Sequence, residues 1–209
     1  MHKTLIGLAF AVVTSLAQAG AYDDILAAAD GGDTTTVVDL LKRGMDVNTA
    51  DRAGSTLLMI AARKGNLPLL KTLLANRANV NRRNQFGDTA LLLAALNARL
   101  EAVQLLVAQG GELNPADWTP LHYAVFGGST EVASFLFAKG AKLDVRAPNG
   151  QTPLMLAVKL GKADMVHLLI EADADMDLAD HEGVTALDLA KKLGHTDIAA
   201  YLRKVGAVE

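Results

Sequence analysis

Five threonines set the phase of the chain. Thr56, Thr89, Thr119, Thr152 and Thr185 are separated by 33, 30, 33 and 33 residues. Apolar residues recur at fixed distances behind them. Two residues on stand Leu58, Leu91, Leu121, Leu154 and Leu187; five on, Ala61, Ala94, Ala124, Ala157 and Ala190. Seventeen on stand Leu73, Leu106, Leu136, Leu169 and Leu202. Glycine follows at nine residues in four cases, Gly65, Gly128, Gly161 and Gly194, and Ala98 takes the other place. A fixed period of this length marks a repeat architecture. Upstream, Ala28, Gly32, Leu40 and Gly44-Met45-Asp46-Val47-Asn48 fall in the same phase, so the chain reads as six units.

Each unit predicts two helices. The threonine is an N-cap, its oxygen accepting from an amide of the first turn. Pro120 and Pro153 stand at the first helical position, where no amide is missed. The Leu and Ala positions form an apolar face of small residues, on which a neighbouring helix can sit closely. The glycine nine residues on closes this helix, as glycine does just past a helix end. The second helix carries pairs such as Leu69-Leu70 and Leu73-Leu74 and ends at Gly44, Gly110 or Gly140. A short polar hairpin then leads to the next threonine, with Gly54, Gly87, Gly150 or Gly183 two residues before it.

These residues resemble the ankyrin repeat. Thr119-Pro120-Leu121-His122-Tyr123-Ala124 carries the core of that family's motif. Asp51-Arg52-Ala53-Gly54-Ser55-Thr56 carries its finger, and Gly140-Ala141-Lys142-Leu143-Asp144 and Asn79-Val80-Asn81 its tail. The resemblance implies an all-α ankyrin-repeat solenoid of stacked helix-turn-helix units with short β-hairpin fingers. About six repeats are expected, end caps included, in one domain spanning 20–209. Their bounds are about 21–50, 51–83, 84–115, 116–147, 148–180 and 181–209. Three departures stand out. The first unit lacks a front finger and the sixth a tail. Ala98 and Asp173 replace turn glycines. Before Thr119 only Pro115-Ala116-Asp117-Trp118 follow Asn114, so the finger glycine is gone and the loop is three residues short. That loop cannot form the usual fingertip.

Residues 1–19 read differently. A basic start, Met1-His2-Lys3, precedes an apolar run from Leu5 to Leu16, and Ala17-Gln18-Ala19 supplies the small residues a signal peptidase needs. The run is too short to cross a hydrocarbon core, which takes about twenty residues. A signal peptide cleaved between Ala19 and Gly20 is therefore expected, with the mature chain in a bacterial periplasm and not inserted in the membrane.

Composition narrows the chemistry. The chain is 51% hydrophobic and 21% charged, too apolar for disorder. It has no cysteine, which removes disulfides, thiol nucleophiles and Cys-ligated metals. A formal charge of −3 gives no footprint for nucleic acid. His122 sits where the resemblance implies bonding to neighbouring backbone. No histidines fall at metal-binding or general-base spacing. The acidic run Glu171, Asp173, Asp175, Asp177 and Asp180 fails the calcium-loop pattern, since a loop beginning at Asp173 has Leu178 and Val184 where glycine and glutamate are required. No cofactor, metal or catalytic residue is expected; the chain reads as a non-enzymatic, monomeric binding module.

In ankyrin proteins the fingers and the exposed side of the first helices form a concave groove that binds partner proteins. Carried onto this chain, the groove positions include Arg52, Arg63, Phe86, Trp118, Tyr123, Phe126, Asn149 and Lys159. Aromatics with arginine are what interface hot spots are made of, and they cluster centrally. Phe86 and Phe126 are expected to be exposed and Tyr123 to pack. Truncating Trp118 or Phe126 should cost on the order of 2 kcal/mol in binding and little in folding. Exported proteins of this type imply one of two partners. One is a catalase, in periplasmic defence against peroxide. The other is a toxin effector that the chain would neutralise as an immunity protein.

Overall fold

Every capping threonine forms its predicted bond. In the computed structural model, which describes residues 20–208, the hydroxyl oxygens of Thr56, Thr89, Thr119, Thr152 and Thr185 accept from the amides of Met59, Leu92, His122, Met155 and Asp188. The helices they open form an inner layer: α3 (Leu57–Lys64), α5 (Ala90–Leu96), α7 (Pro120–Gly127), α9 (Pro153–Lys159) and α11 (Ala186–Leu193). Each is followed by an antiparallel outer helix: α4 (Leu67–Ala75), α6 (Leu100–Ala108), α8 (Thr130–Ala138), α10 (Ala163–Glu171) and α12 (Thr196–Lys204). A first pair, α1 (20–31) and α2 (Thr34–Lys42), precedes them. Inner helices stack in chain order from α3 to α11, and outer helices likewise from α2 to α10. The chain is thus a two-layered, all-α solenoid.

The recurring residues make its core. At the positions two, five and seventeen residues after each threonine, no side chain is more than 1% exposed. Burying one leucine contributes roughly 1.5–3 kcal/mol. Alanine at the fifth position keeps inner helices close, while leucines from the outer layer fill the wedge between units.

Two expected departures prove to be strained. Ala98 and Asp173, standing in for glycine, adopt left-handed backbone at φ 54° and 66°. Arg77, at the end of α4, does the same at φ 63°, a position the sequence did not single out.

The fingers are tighter than the β-hairpins expected of them. Among the described residues none forms a strand; only the antiparallel bridges Ala50–Thr56 and Ala179–Thr185 occur. Each finger is instead a closed turn. The Asp51 carboxylate accepts from the amides of Ala53 and Ser55, and the Asn84 side chain does the same for Phe86 and Asp88. A turn held by its own side chain leaves too few residues to extend a ladder.

The signal peptide expected at residues 1–19, Ala19 of its cleavage site included, lies outside the described residues, and Gly20 falls in α1. No helix among the described residues is long and apolar enough to cross a membrane.

Candidate functional site

The site grows from the shortened loop. With three residues missing, the segment 115–118 cannot project a fingertip, and it folds down onto the start of α7. Pro115 is buried, Trp118 is half-buried, and Asp117 is drawn sideways into an ion pair with Arg83 at 3.1 Å. The indole of Trp118 stands edge-on to His122, with ring centroids 5.3 Å apart. An opening is left between the finger of the third unit and that of the fifth.

His122 fixes the floor of this opening. Its Nδ1 accepts from the Thr119 amide at 3.3 Å, so Nε2 carries the proton and donates to the carbonyl of Gln151 at 3.1 Å. That bond ties the fourth unit to the fifth. Burial, opposed only by the Gln151 bond, lowers the His122 pKa to about 4. The ring is neutral, with both nitrogens engaged, so it is a structural cross-link and not a free base.

Tyr123 stands one residue on and is half-buried. Its phenol donates to the Asp88 carboxylate at 2.5 Å. Burial, then the Asp88 bond, pushes the phenol above its usual range and keeps it a neutral donor. This bond links α7 to the finger of the third unit, so Tyr123 packs, as expected of it.

Phe126, a turn further along α7, is 58% exposed, and Phe86 at the third fingertip is 76% exposed. Leu96, Trp118, His122, Tyr123 and Phe126 line a cleft of about 290 Å³. Across Trp118 and Tyr123 lies a second, of about 220 Å³, bounded also by Phe86, Arg83 and Asp117. Small-molecule clefts run from about 300 to 1,000 Å³. A five-residue apolar cleft at or below that floor suits a side chain better than a cofactor. Its closeness depends on Gly127, where a Cβ would stand 2.2 Å from the carbonyl oxygen of Leu96.

The other groove residues divide into two places. Asn149 and Lys159 share a wider cleft of about 510 Å³ between the last two fingers. Asn149 closes its own turn, accepting from the Gln151 amide at 3.1 Å. Arg52 and Arg63 lie on the second unit, outside these clefts. Arg52 is exposed and its carbonyl accepts from the Gln85 side chain at 2.8 Å. Arg63 pairs with Asp30 at 3.2 Å. Trp118 is more deeply seated than expected of it. Its truncation would therefore lower stability as well as remove a contact surface, whereas Phe126 is free of that ambiguity.

Sequence reasoning missed Asp88 as the phenol's partner and the Arg83–Asp117 pair. Each joins residues about one repeat apart, and only the stacking geometry brings them together. No group of three acidic or histidine side chains that could hold a metal ion occurs among the described residues.

The chain matches the family described as ankyrin repeats (3 copies) over residues 25–117, 58–147 and 139–208. It belongs to the ankyrin-repeat family. Such repeats generally mediate protein–protein interaction and are typically non-enzymatic. No curated protein matches the chain.

Proposed function

We propose that this protein is an exported, non-enzymatic adaptor that acts as a monomer in the periplasm and binds one partner protein through its concave groove. The observation that carries the reading is the apolar cleft of the fourth unit, with Phe126 exposed on its rim and Phe86 beyond it. Large apolar side chains exposed around an apolar cleft mark interaction sites. The central position of Phe86, Trp118, Tyr123 and Phe126 fits the anchoring role, with Arg52, Arg63, Asn149 and Lys159 as the polar surround. The leader at 1–19 supports export. Its cleavage between Ala19 and Gly20 would leave a mature chain whose N-terminal residue mass spectrometry would read directly.

The test is affinity capture from periplasmic extract with the intact chain and with Phe126→Ser. A specific partner held by the intact chain and lost from the variant supports the reading. A partner held equally by both overturns the groove as the site. The process we favour is peroxide defence beside a catalase. A catalase among the captured proteins supports it; a toxin effector instead would make the chain an immunity protein.

A further inference from the structure

Inner helices stack side by side, and the residues at their ends share clefts: Leu96 with Phe126 in one, Lys159 with Lys192 in another. The seventh and eighth residues after each capping threonine therefore form one continuous row across the units. Helix C-termini carry partial negative charge and favour a cation in their last turn. Three of the five inner helices have one: Arg63 and Lys64 on α3, Lys159 on α9 and Lys192 on α11. The two central helices have none, and Leu96 of α5 and Phe126 of α7 occupy the seventh place instead. Those two line the apolar cleft. The dipole alone would favour cations at every helix end, so it explains the flanks and not the centre.

The row is also at odds with the chain as a whole. The formal charge is −3, yet along the row four cations stand against three carboxylates, Asp30, Asp180 and Glu182. Asp30 is shared between Arg63 at 3.2 Å and Lys64 at 3.1 Å. Lys159 and Lys192 form no ion pair among the described residues. Asp180 and Glu182 border the same cleft. The Asp180 Oδ1 accepts from the amides of Glu182 and Val184 and the carboxylate keeps its charge, so Asp180 and Glu182 both face Lys159 and Lys192.

We infer that the groove takes an acidic protein segment: one large apolar side chain seated in the Leu96–Trp118–Phe126 cleft, with carboxylates on both sides of it meeting Arg63 and Lys64 at one end and Lys159 and Lys192 at the other. This rests on the groove being the binding surface, and it names the chemistry of what binds there. Opposite charge across an interface raises the association rate and sets partner choice, and both effects weaken with salt.

The experiment selects binders to the purified protein from a displayed library of random linear peptides. The selected peptides are then titrated in solution. Trp118 is the only tryptophan in the chain, so its fluorescence reports occupancy of the cleft. The expected result is enrichment of peptides with one aromatic or large aliphatic residue flanked by Asp and Glu on both sides. Binding should quench or shift Trp118 emission and weaken with salt. It should fall by about tenfold or more in the double variant Lys159→Glu, Lys192→Glu. A second variant, Lys159→Gln, Lys192→Gln, should also weaken binding while its unfolding midpoint stays near that of the parent. If the charges served only to stabilise helix ends, the reverse would hold. Peptides that move Trp118 emission yet lack acidic flanks overturn the charge assignment and leave the groove reading standing. Peptides that bind without moving Trp118 emission, or no enrichment at all, overturn both.

Discussion

His122 carries a charge-dependent stability that can be worked out by sign. Its folded pKa is near 4 against 6.5 for the exposed ring, because burial disfavours the charged form. Between those values the unfolded chain binds a proton that the folded chain refuses. The contribution is therefore fully present above pH 6.5 and is lost as pH falls toward 4, to the extent of about 3 kcal/mol. Urea unfolding at pH 7 and pH 4.5 checks this. His122→Gln should be less stable than the parent at pH 7, and it should lose less on acidification. Equal losses in parent and variant would contradict the account. A second prediction concerns Ala98 and Asp173. Left-handed backbone costs a side-chain-bearing residue about 1–2 kcal/mol, partly offset by the greater freedom of glycine when unfolded. Ala98→Gly and Asp173→Gly should each stabilise by about 0.5 kcal/mol in chemical denaturation.

At the scale of single elements, α7 and the loop before it decide the shape of the groove. Gly127 lies in the last turn of α7 against the end of α5. Helix propensity alone would favour alanine there by up to about 1 kcal/mol. The added methyl would instead meet the Leu96 carbonyl oxygen at 2.2 Å, and relief requires α7 to move. Gly127→Ala should therefore destabilise by about 2 kcal/mol, read from denaturant midpoints, and should change Trp118 emission as the cleft deforms. The helices themselves were legible because a threonine cap, an alanine face and a terminal glycine recur in phase. The missing fingertip was legible as a 30-residue spacing among spacings of 33. The seating of Trp118 was not, since nothing local says whether an indole after a deleted turn points outward or folds back. Nor was the Tyr123–Asp88 bond, which spans 35 residues and exists only once α7 lies beside the third finger.

Across the whole molecule the units are held by a ladder as well as by the core. Asn48, Asn81, Asn114, Asp144 and Asp177 occupy one tail position in successive units. Each accepts, through its side chain, from an amide at the corresponding place in the next unit: Asn79, Glu112, Lys142, Asp175 and Val208, at 2.8 to 3.0 Å. Of the acidic run, the Asp177 carboxylate serves in this ladder, while those of Asp175 and Asp180 accept from amides of their own turns. Two of the asparagines also donate forward, Asn81 to the Gly110 carbonyl and Asn114 to that of Gly140. In a solenoid each unit is stabilised by its neighbours alone, so losing one rung should act locally. Asn81→Ala should cost about 1 kcal/mol and speed hydrogen exchange at the Glu112 amide, while the corresponding Val208 amide at the far end exchanges as before.

The groove's orientation toward a partner is the claim on which the functional account turns, and site-specific photocrosslinking in cells measures it most directly. Replacing Phe126 with a photoreactive phenylalanine analogue places the probe on the rim of the central cleft. Replacing exposed Lys71 of the outer helix α4 places it on the opposite layer. The account predicts a discrete crosslinked partner from position 126 and none from position 71. A partner crosslinked from position 71 and not from 126 would contradict it.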